Sequence, residues 1–389
     1  MKNHLFFLII LLSLECKSQS YFNELFTLDT TITLKTKDFA TVGVYGAATA
    51  SYENFIIFTD HTRAMKSNDS IPFLKYDIEN KKLSSFFLIT NNHEFFSSKY
   101  TTIRNIALNE NNIFVSLFKH IVVFKKTNDN YLVDYILQNN NDEVVIINDS
   151  TIFGLYQRNP TSSYLLYNFI NKEYIEQKNY SIDILGMTHI APSKYLDAHK
   201  DQLFFISANK YEVVRYNYLT KATDTIIKHK PKEWNYFSKK EIRLINKAHP
   251  GGPVIKKLEN ILPEKNVIHG LAIINDTTIL IRHLYGYFSQ NLNHFVDIWK
   301  LQNNEWILSA SNIKYSDPVE PNSIISKNNY PIFLYNSFNY NKQGVFYTIS
   351  DEETELSPIG MTYEDFYEQN QIELISKEPV YKLNIFYKK

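Results

Sequence analysis

Arginine is scarce in this 389-residue chain, at Arg63, Arg104, Arg158, Arg215, Arg243 and Arg282, against 35 lysines. A guanidinium offers a planar fork of donors that grips carboxylate or phosphate through two parallel hydrogen bonds, which an ammonium cannot do. Arg63, Arg158 and Arg282 fall in or beside three long polar segments, TDHTRAMKSNDS (59–70), YQRNPTSS (156–163) and RHLYGYFSQNLNH (282–294). The same segments carry His61, His283 and Tyr285, and Trp234 stands in a fourth. These seven residues form a candidate binding set for a small anionic or glycan ligand or a protein partner, provided the fold gathers them. For any single arginine a surface salt bridge is the plainer account.

No catalytic residue is assigned. The eleven histidines show no metal-ligand spacing, with His189 and His199 ten apart and no H-x-x-x-H or C-x-x-C. Calcium loops, G-x-S-x-G, the P-loop and the dinucleotide fingerprint are all missing from the sequence. No cofactor is expected and no metal site is assigned. The 41 basic and 41 acidic residues balance, which argues against nucleic acid as a partner.

The elements that would position these residues are strands. The chain is 44% hydrophobic and 15% aromatic, with 28 Tyr and 27 Phe, both strand-favouring. Only 10 Gly are present, so turns must draw on Asn, Asp and Lys.

The N-terminus reads as an export signal. Lys2 is followed by the apolar run Leu5–Leu12, long enough for a secretory signal and too short to span a bilayer. Two processing routes are open. Ser18 and Ser20 suit cleavage that leaves a chain starting at Tyr21, with 1–20 removed. Alternatively LSLEC-KSQ is similar to bacterial lipoprotein signals, which implies lipidation of Cys16, although Glu15 departs from the small residue expected before it. Cys16 is the only cysteine, so no disulfide forms within the chain.

From residue 21 to 389 one unit recurs: an apolar strand ending in an aromatic, a polar turn, then another strand. The instances are FLKYDIENKKL (73–83), VVFKKTNDNYL (122–132), LLYNFINKEYI (165–175), VRYNYLTKATD (214–224), DIWKLQNNEWI (297–307) and VFYTISDEETE (345–355). Their aromatics are Tyr76, Phe124, Tyr167, Tyr216, Trp299 and Tyr347, at intervals of 48, 43, 49, 83 and 48 residues. Each is preceded by a tight turn and a further strand, as in NNIFVSLF (111–118) and DQLFFISA (201–208). The unit is a four-stranded antiparallel meander, whose large aromatics suit flat contacts between stacked units. DEETE (351–355) is expected at a solvated hairpin tip.

The 83-residue interval reads as an insertion at 228–266 rather than a hidden repeat. Ser238 with Glu241 makes a capping box, Ile242, Ile245 and Ala248 follow at helical spacing, and HPGG stops the helix. A second short helix is expected after Pro253. FTLDTTITLK (26–35) and YKLNIFYKK (381–389) are free to close a ring.

On this meander periodicity and the YDIENKKL-type hairpin, the chain resembles the six-bladed β-propeller superfamily of NHL and TolB type, in particular exported lipoprotein-like members from bacteria related to Bacteroides. The resemblance implies an all-β fold: a single propeller domain, with the helical insertion before blade five. It implies a monomeric binding or scaffold protein of the cell envelope, in the periplasm, on the outer membrane, or secreted. Ligands would sit on the top face, formed by the second-to-third-strand loops and the blade connections. Two alternatives follow from the same resemblance. One is a glycan-binding accessory protein. The other is a lactonase-like hydrolase with a single divalent cation held by Glu, Asn and Asp; here Glu53, Asn54, Asn105, Asn148, Asp149 and Asp276 lie near strand starts, mostly in turns at the wrong end of the channel.

Overall fold

A computed structural model describes residues 26–35, 47–60, 70–91, 103, 105–117, 120–138, 143–156, 162–180, 195–207, 210–245, 261, 264–285, 293–315, 339–340, 345–351 and 380–388. Cys16, His61, Arg63, Arg104 and Arg158 lie outside these residues, as does the DEETE run beyond Asp351.

The described chain is almost wholly strand. After β1 (Phe26–Lys35) come five consecutive meanders. The first is β2 (Ala47–Tyr52), β3 (Phe55–Asp60), β4 (Ser70–Asp77) and β5 (Lys82–Ile89). The second is β6 (Asn105–Leu108), β7 (Asn112–Ser116), β8 (His120–Thr127) and β9 (Asn130–Gln138). The third is β10 (Glu143–Asn148), β11 (Thr151–Tyr156), β12 (Ser162–Asn168) and β13 (Glu173–Tyr180). The fourth is β14 (Leu196–His199), β15 (Gln202–Ser207), β16 (Lys210–Asn217) and β17 (Thr223–Lys228). The fifth is β18 (Asn266–Asn275), β19 (Thr278–Tyr285), β20 (Asn293–Gln302) and β21 (Glu305–Tyr315). A last sheet joins the two ends of the chain in the order β22 (Asn339–Tyr340), β23 (Val345–Asp351), β24 (Val380–Lys388) and β1. The first and second meanders form one eight-stranded sheet, because β5 and β9 pair in parallel at Leu88–Tyr131 and Ile89–Leu132.

Alternation along the strands builds the packing. Ile113 and Val115 of β7 enter one apolar cluster and Phe114 between them enters the next. Leu203 and Phe205 of β15 face the third sheet, whereas Phe204 and Ile206 face the fifth. Each meander is therefore apolar on both faces, which only neighbours on both sides can cover. Six seams result: Phe73 and Leu88 against Val115 and Phe124; Phe114 and Val123 against Val144 and Leu165; Phe153 and Leu166 against Leu196 and Phe205; Tyr211 and Val213 against Ile279 and Trp299; Val296 and Ile313 against Phe26 and Phe386; and Tyr347 and Leu383 against Ile56 and Phe58. The last seam brings the final sheet onto the first, and the arrangement is propeller-like. First strands of successive units approach one another, β2 to β6 to β10 to β14 to β18 to β22, and line the inside.

The turns between third and fourth strands explain why so little glycine is needed. Asn168 Oδ1 accepts from the N–H groups of Ile170 and Asn171 at 3.0 and 2.9 Å, and Asn217 Oδ1 accepts from those of Leu219 and Thr220 at 3.0 Å each. Asp77 Oδ1 accepts from the Asn80 N–H at 2.9 Å in the same way. Such a side chain imitates a backbone turn. A lysine then takes the left-handed conformation in each: Lys81 (φ 50°), Lys172 (φ 57°) and Lys221 (φ 62°). All three reach an acidic residue on the outer strand of the preceding sheet: Asp29 at 3.0 Å, Asp134 at 2.9 Å and Glu176, respectively.

Three expectations need correction. Tyr76, Phe124, Tyr167, Tyr216 and Trp299 occupy the third strands of their sheets, but Tyr347 lies on the second strand of the last one. That sheet takes its fourth strand from the N-terminus, so its third strand is β24 and the repeat alignment slips by one strand there. The insertion is also shorter at both ends, since β17 runs through Lys228 and β18 begins at Asn266. Among the described residues it holds one helix, α1 (Lys239–Ile245); residues 246–260, where the second was expected, lie outside them. Finally, Arg282, His283 and Tyr285 belong to strand β19 and not to a loop, because Ile279–Leu284 pairs on both sides with β18 and β20.

Ring closure predicts a sharp contrast between two leucines. Leu383, 0% exposed in the closing seam, costs about 2–5 kcal/mol on replacement by Ala. Leu219, 64% exposed at a turn tip, changes stability by less than about 0.5 kcal/mol. Urea denaturation of the two variants measures both.

Candidate functional site

The inserted segment crosses the top of the seam between the fourth and fifth sheets. Top here means the face carrying the connections between sheets and the ends of second strands, where β19 finishes at Tyr285. Trp234 and Phe237 are buried in this seam with Tyr211, Ile279, Ile281 and Trp299. The segment is fastened by polar contacts rather than by a ladder. Asn235 N–H donates to Asn266 Oδ1 at 2.9 Å, and Asn266 N–H donates to the Asn235 carbonyl at 3.2 Å. Buried Lys265 donates to Asn235 Oδ1 and the Tyr236 carbonyl at 3.0 Å each, and to Glu241 Oε2 at 3.1 Å. Glu241 Oε2 also accepts from the Ser238 N–H at 2.6 Å, while Ser238 Oγ accepts from the Glu241 N–H at 3.3 Å, so the expected capping box forms. Burial raises the Glu241 carboxyl, but Ser238 and the Lys265 ammonium outweigh it and hold it below its ordinary value.

Beneath the segment lies a carboxylate that apolar patterning disguises. Asp297 sits in FVDIW on β20 and is 3% exposed. Tyr211 Oη donates to Asp297 Oδ2 at 2.6 Å, Trp299 Nε1–H donates to Tyr211 Oη at 2.9 Å, and the Asn312 N–H donates to Asp297 Oδ1 at 2.6 Å. His283 Nε2 stands 3.3 Å from Asp297 Oδ1, inside ion-pair reach but out of line for a hydrogen bond. Burial pushes the Asp297 carboxyl up; His283, Tyr211 and the Asn312 N–H together hold it below the ordinary carboxylate range. Burial and then Asp297 push the Tyr211 phenol well above its ordinary value.

Aromatic rings wall this centre. The His283 ring lies 4.8 Å from Trp234 on one side and stacks on Phe295 at 5.3 Å on the other. Trp234 contacts Tyr211 at 5.2 Å and Tyr236 at 5.8 Å, and His229 bridges Tyr211 and Trp299 at 5.1 and 5.5 Å. Of the seven residues in the candidate set, then, Trp234 and His283 touch. Tyr285 is 42% exposed two positions beyond His283 on β19. Arg282 is buried, its neighbours Ile281 and His283 packing into the fourth–fifth seam and Leu280 into the fifth–sixth. Its stem passes over Gly270 of β18, where an added Cβ would stand 3.4 Å from Arg282 Cβ. His61, Arg63 and Arg158 lie outside the described residues. Arg215 pairs with Asp224 at 2.7 Å, and Arg243 is exposed on α1.

Sequence reasoning missed Asp297, Tyr211 and Lys265. The one available signal was an acidic residue inside an otherwise apolar strand, which marks a buried, partnered charge.

Two of the residues weighed as cation ligands, Asn148 and Asp276, are used otherwise at the opposite face. Asn148 Nδ2 donates to Asp201 Oδ1 at 2.8 Å, and Asp276 accepts from Lys200 and lies 3.0 Å from His199 Nε2. Among the described residues no group of three His, Cys, Asp or Glu side chains could hold a metal ion. No helix among them is long and apolar enough to cross a membrane.

No family model matches the chain, and no curated protein matches it. Two solved structures share its fold over nearly the whole length. A member of the DUF4221 family from Bacteroides vulgatus superposes with a TM-score of 0.54 at 9% identity, covering 94% of this chain and 98% of that one. A protein designated as exported, from Bacteroides fragilis, gives 0.52 at 10% identity, covering 96% and 98%.

The buried carboxylate predicts two outcomes. Asp297→Ala leaves the Tyr211 O–H and the Asn312 N–H without their acceptor in the core and costs about 3–5 kcal/mol at neutral pH. Because the folded carboxyl titrates below the unfolded value of about 3.9, its contribution is complete above that pH and lost as pH falls through the folded value. Urea midpoints measured from pH 7 down to pH 2.5 should therefore fall more steeply for the wild type than for Asp297→Asn.

Proposed function

We propose that the chain is an exported six-bladed β-propeller, of NHL or TolB type, that binds a ligand or partner on its top face in the bacterial cell envelope. The observation that carries this reading is the inserted segment at the fourth–fifth seam. It is fastened by Lys265 and Asn266 over a buried His283–Asp297–Tyr211 centre, on the face where loops of a propeller present binding groups. A segment that only lengthened a connection would not need a buried lysine and a buried carboxylate beneath it.

The six blades are the five meanders and the composite sheet closed by β1. Export rests on Lys2 and the apolar Leu5–Leu12 run, and is supported by the exported designation of the Bacteroides fragilis protein of like fold. We read Cys16 as the acylated first residue of the mature chain.

Intact mass of the mature protein from its host, extracted with and without detergent, tests the compartment. A diacylated or triacylated chain beginning at Cys16, found only in the detergent extract, is the expected result. An unmodified chain beginning at Tyr21 would overturn the anchor and leave a soluble exported propeller. A mass that retains residues 1–15 would overturn export itself.

A further inference from the structure

We propose that the bottom face of the protein, opposite the insertion, lies on the bilayer that holds the Cys16 acyl chains, with Ile170, Tyr174, Ile175 and Leu219 seated at the lipid boundary. This rests on the anchored reading above and adds how the anchored chain is oriented. The starting point is where apolar surface is left bare. Leu219, Ile170, Tyr174 and Ile175, at 64, 63, 47 and 46%, are the four most exposed large hydrophobic side chains among the described residues. All four stand at the bottom of two neighbouring sheets. Ile170 and Leu219 occupy the turns between third and fourth strands of the third and fourth sheets, and Tyr174 and Ile175 lie at the turn end of β13. Lys221 of the fourth-sheet turn donates to Glu176 of β13, which draws the Leu219 turn against that strand. Single exposed apolar residues are ordinary, whereas four gathered in one place mark a contact surface.

Nothing in the fold requires these positions to be apolar. The turns are made by Asn168 and Asn217 oxygens gripping backbone N–H groups, and in the first sheet, where Asp77 does the same, the tip residue is Glu79. Ile175 is the extra residue of a bulge opposite Leu166–Tyr167; the second sheet's bulge, opposite Val123–Phe124, carries Asp134 instead.

Two observations name the occupant. One is composition. Lys172 and Lys221 rim the patch, each half exposed, and the Tyr174 ring meets Tyr167 edge-on at 5.1 Å. Lysine is depleted at protein–protein contacts, whereas Tyr and Lys around aliphatic tips suit the boundary between headgroups and acyl chains. The other is the tether. Phe26 opens β1 opposite Lys388, which ends β24 at the bottom of the composite sheet. Only residues 17–25 separate Cys16 from Phe26, at full extension at most about 36 Å of chain. The third sheet lies three seams from the composite sheet in either direction, so tether and patch grip opposite edges of one face. A weak contact across the face, made effectively intramolecular by the tether, then fixes the tilt. The top face, with its insertion, points away from the membrane toward its ligand or partner.

Because acylation consumes the one native thiol, a cysteine introduced elsewhere takes a label alone. Leu219→Cys and Ile170→Cys carry a nitrobenzoxadiazole dye on full-length mature protein in phosphatidylethanolamine–phosphatidylglycerol vesicles, and Lys240→Cys, exposed on α1, is the top-face control. All three sites are exposed, so urea midpoints should stay at the wild-type value. Intact mass establishes the acylation of each variant. Emission from the two bottom sites should shift to the blue and be lost when the vesicles contain lipid spin-labelled just below the headgroup; emission from the control should do neither. Quenching missing at either bottom site, or equal quenching at the control, overturns the docking while leaving the anchor intact. A blue shift that spin-labelled lipid does not quench means a second copy or another protein covers the patch, and overturns it too. A chain without acyl groups removes the anchor and the docking together.

Discussion

Everything in this structure depends on the two-sided burial of its sheets. A four-stranded meander with Ile113 and Val115 on one face and Phe114 on the other cannot be stable alone, because each face would lose its stabilisation to water. Neighbours on both sides are required, and a row of such units always leaves two faces open unless it closes. Closure is made by a strand from each end of the chain. β1 pairs with β24 along nearly its whole length, and Tyr347 and Leu383 then meet Ile56 and Phe58. The composite sheet takes its outer strand, β1, from the N-terminal side of the chain.

Around this apolar frame, polar groups act mainly as stitches between neighbouring sheets. Along the inner strands, Asn105 accepts from the Val144 N–H at 2.9 Å, Glu143 from the Tyr195 N–H at 3.0 Å and Asp197 from the Ile273 N–H at 2.8 Å. At the outer turns the left-handed lysines reach back to the preceding sheet. Exposed pairs of that sort contribute little to stability, but repeated at one position they help set the register of one sheet on the next. The first–second seam has the parallel pairing of β5 with β9 instead, where Asn130 Oδ1 accepts from the Phe87 N–H at 3.1 Å.

The fourth–fifth seam departs from this scheme. Its equivalent turn carries Asn303 and Asn304 where the first, third and fourth sheets have a turn lysine, and its upper part is occupied by the insertion. Burying Asp297 there opposes folding unless its oxygens are well partnered, which Tyr211 and Asn312 accomplish. Glu143 on β10 is likewise a buried carboxylate, answered by the Tyr195 N–H. The fourth–fifth seam also holds Tyr236 Oη, buried without a hydrogen-bond partner, and His283, whose Nε2 lies 3.3 Å from Asp297 Oδ1.

Strand periodicity, the meander repeat, the insertion and its capping box were legible in the sequence, because each is a local pattern: alternation of period two, turn residues at fixed offsets, Ser238 three residues before Glu241. Trp234 and His283 were legible as candidates from residue type alone. Their contact was not, since 49 positions separate them and only the docking of the insertion onto β19 brings them to 4.8 Å. Asp297 and Tyr211, 86 apart, were hidden for the same reason, and Arg282 was mistaken for a loop residue because a buried strand arginine has no local signature. The slip of Tyr347 by one strand came from closure itself, a pairing between residues 26–35 and 380–388 that no local pattern encodes. Local spacing determines which strands and turns form; which side chains share a seam is decided by the ring, because only closure sets what each face must pack against.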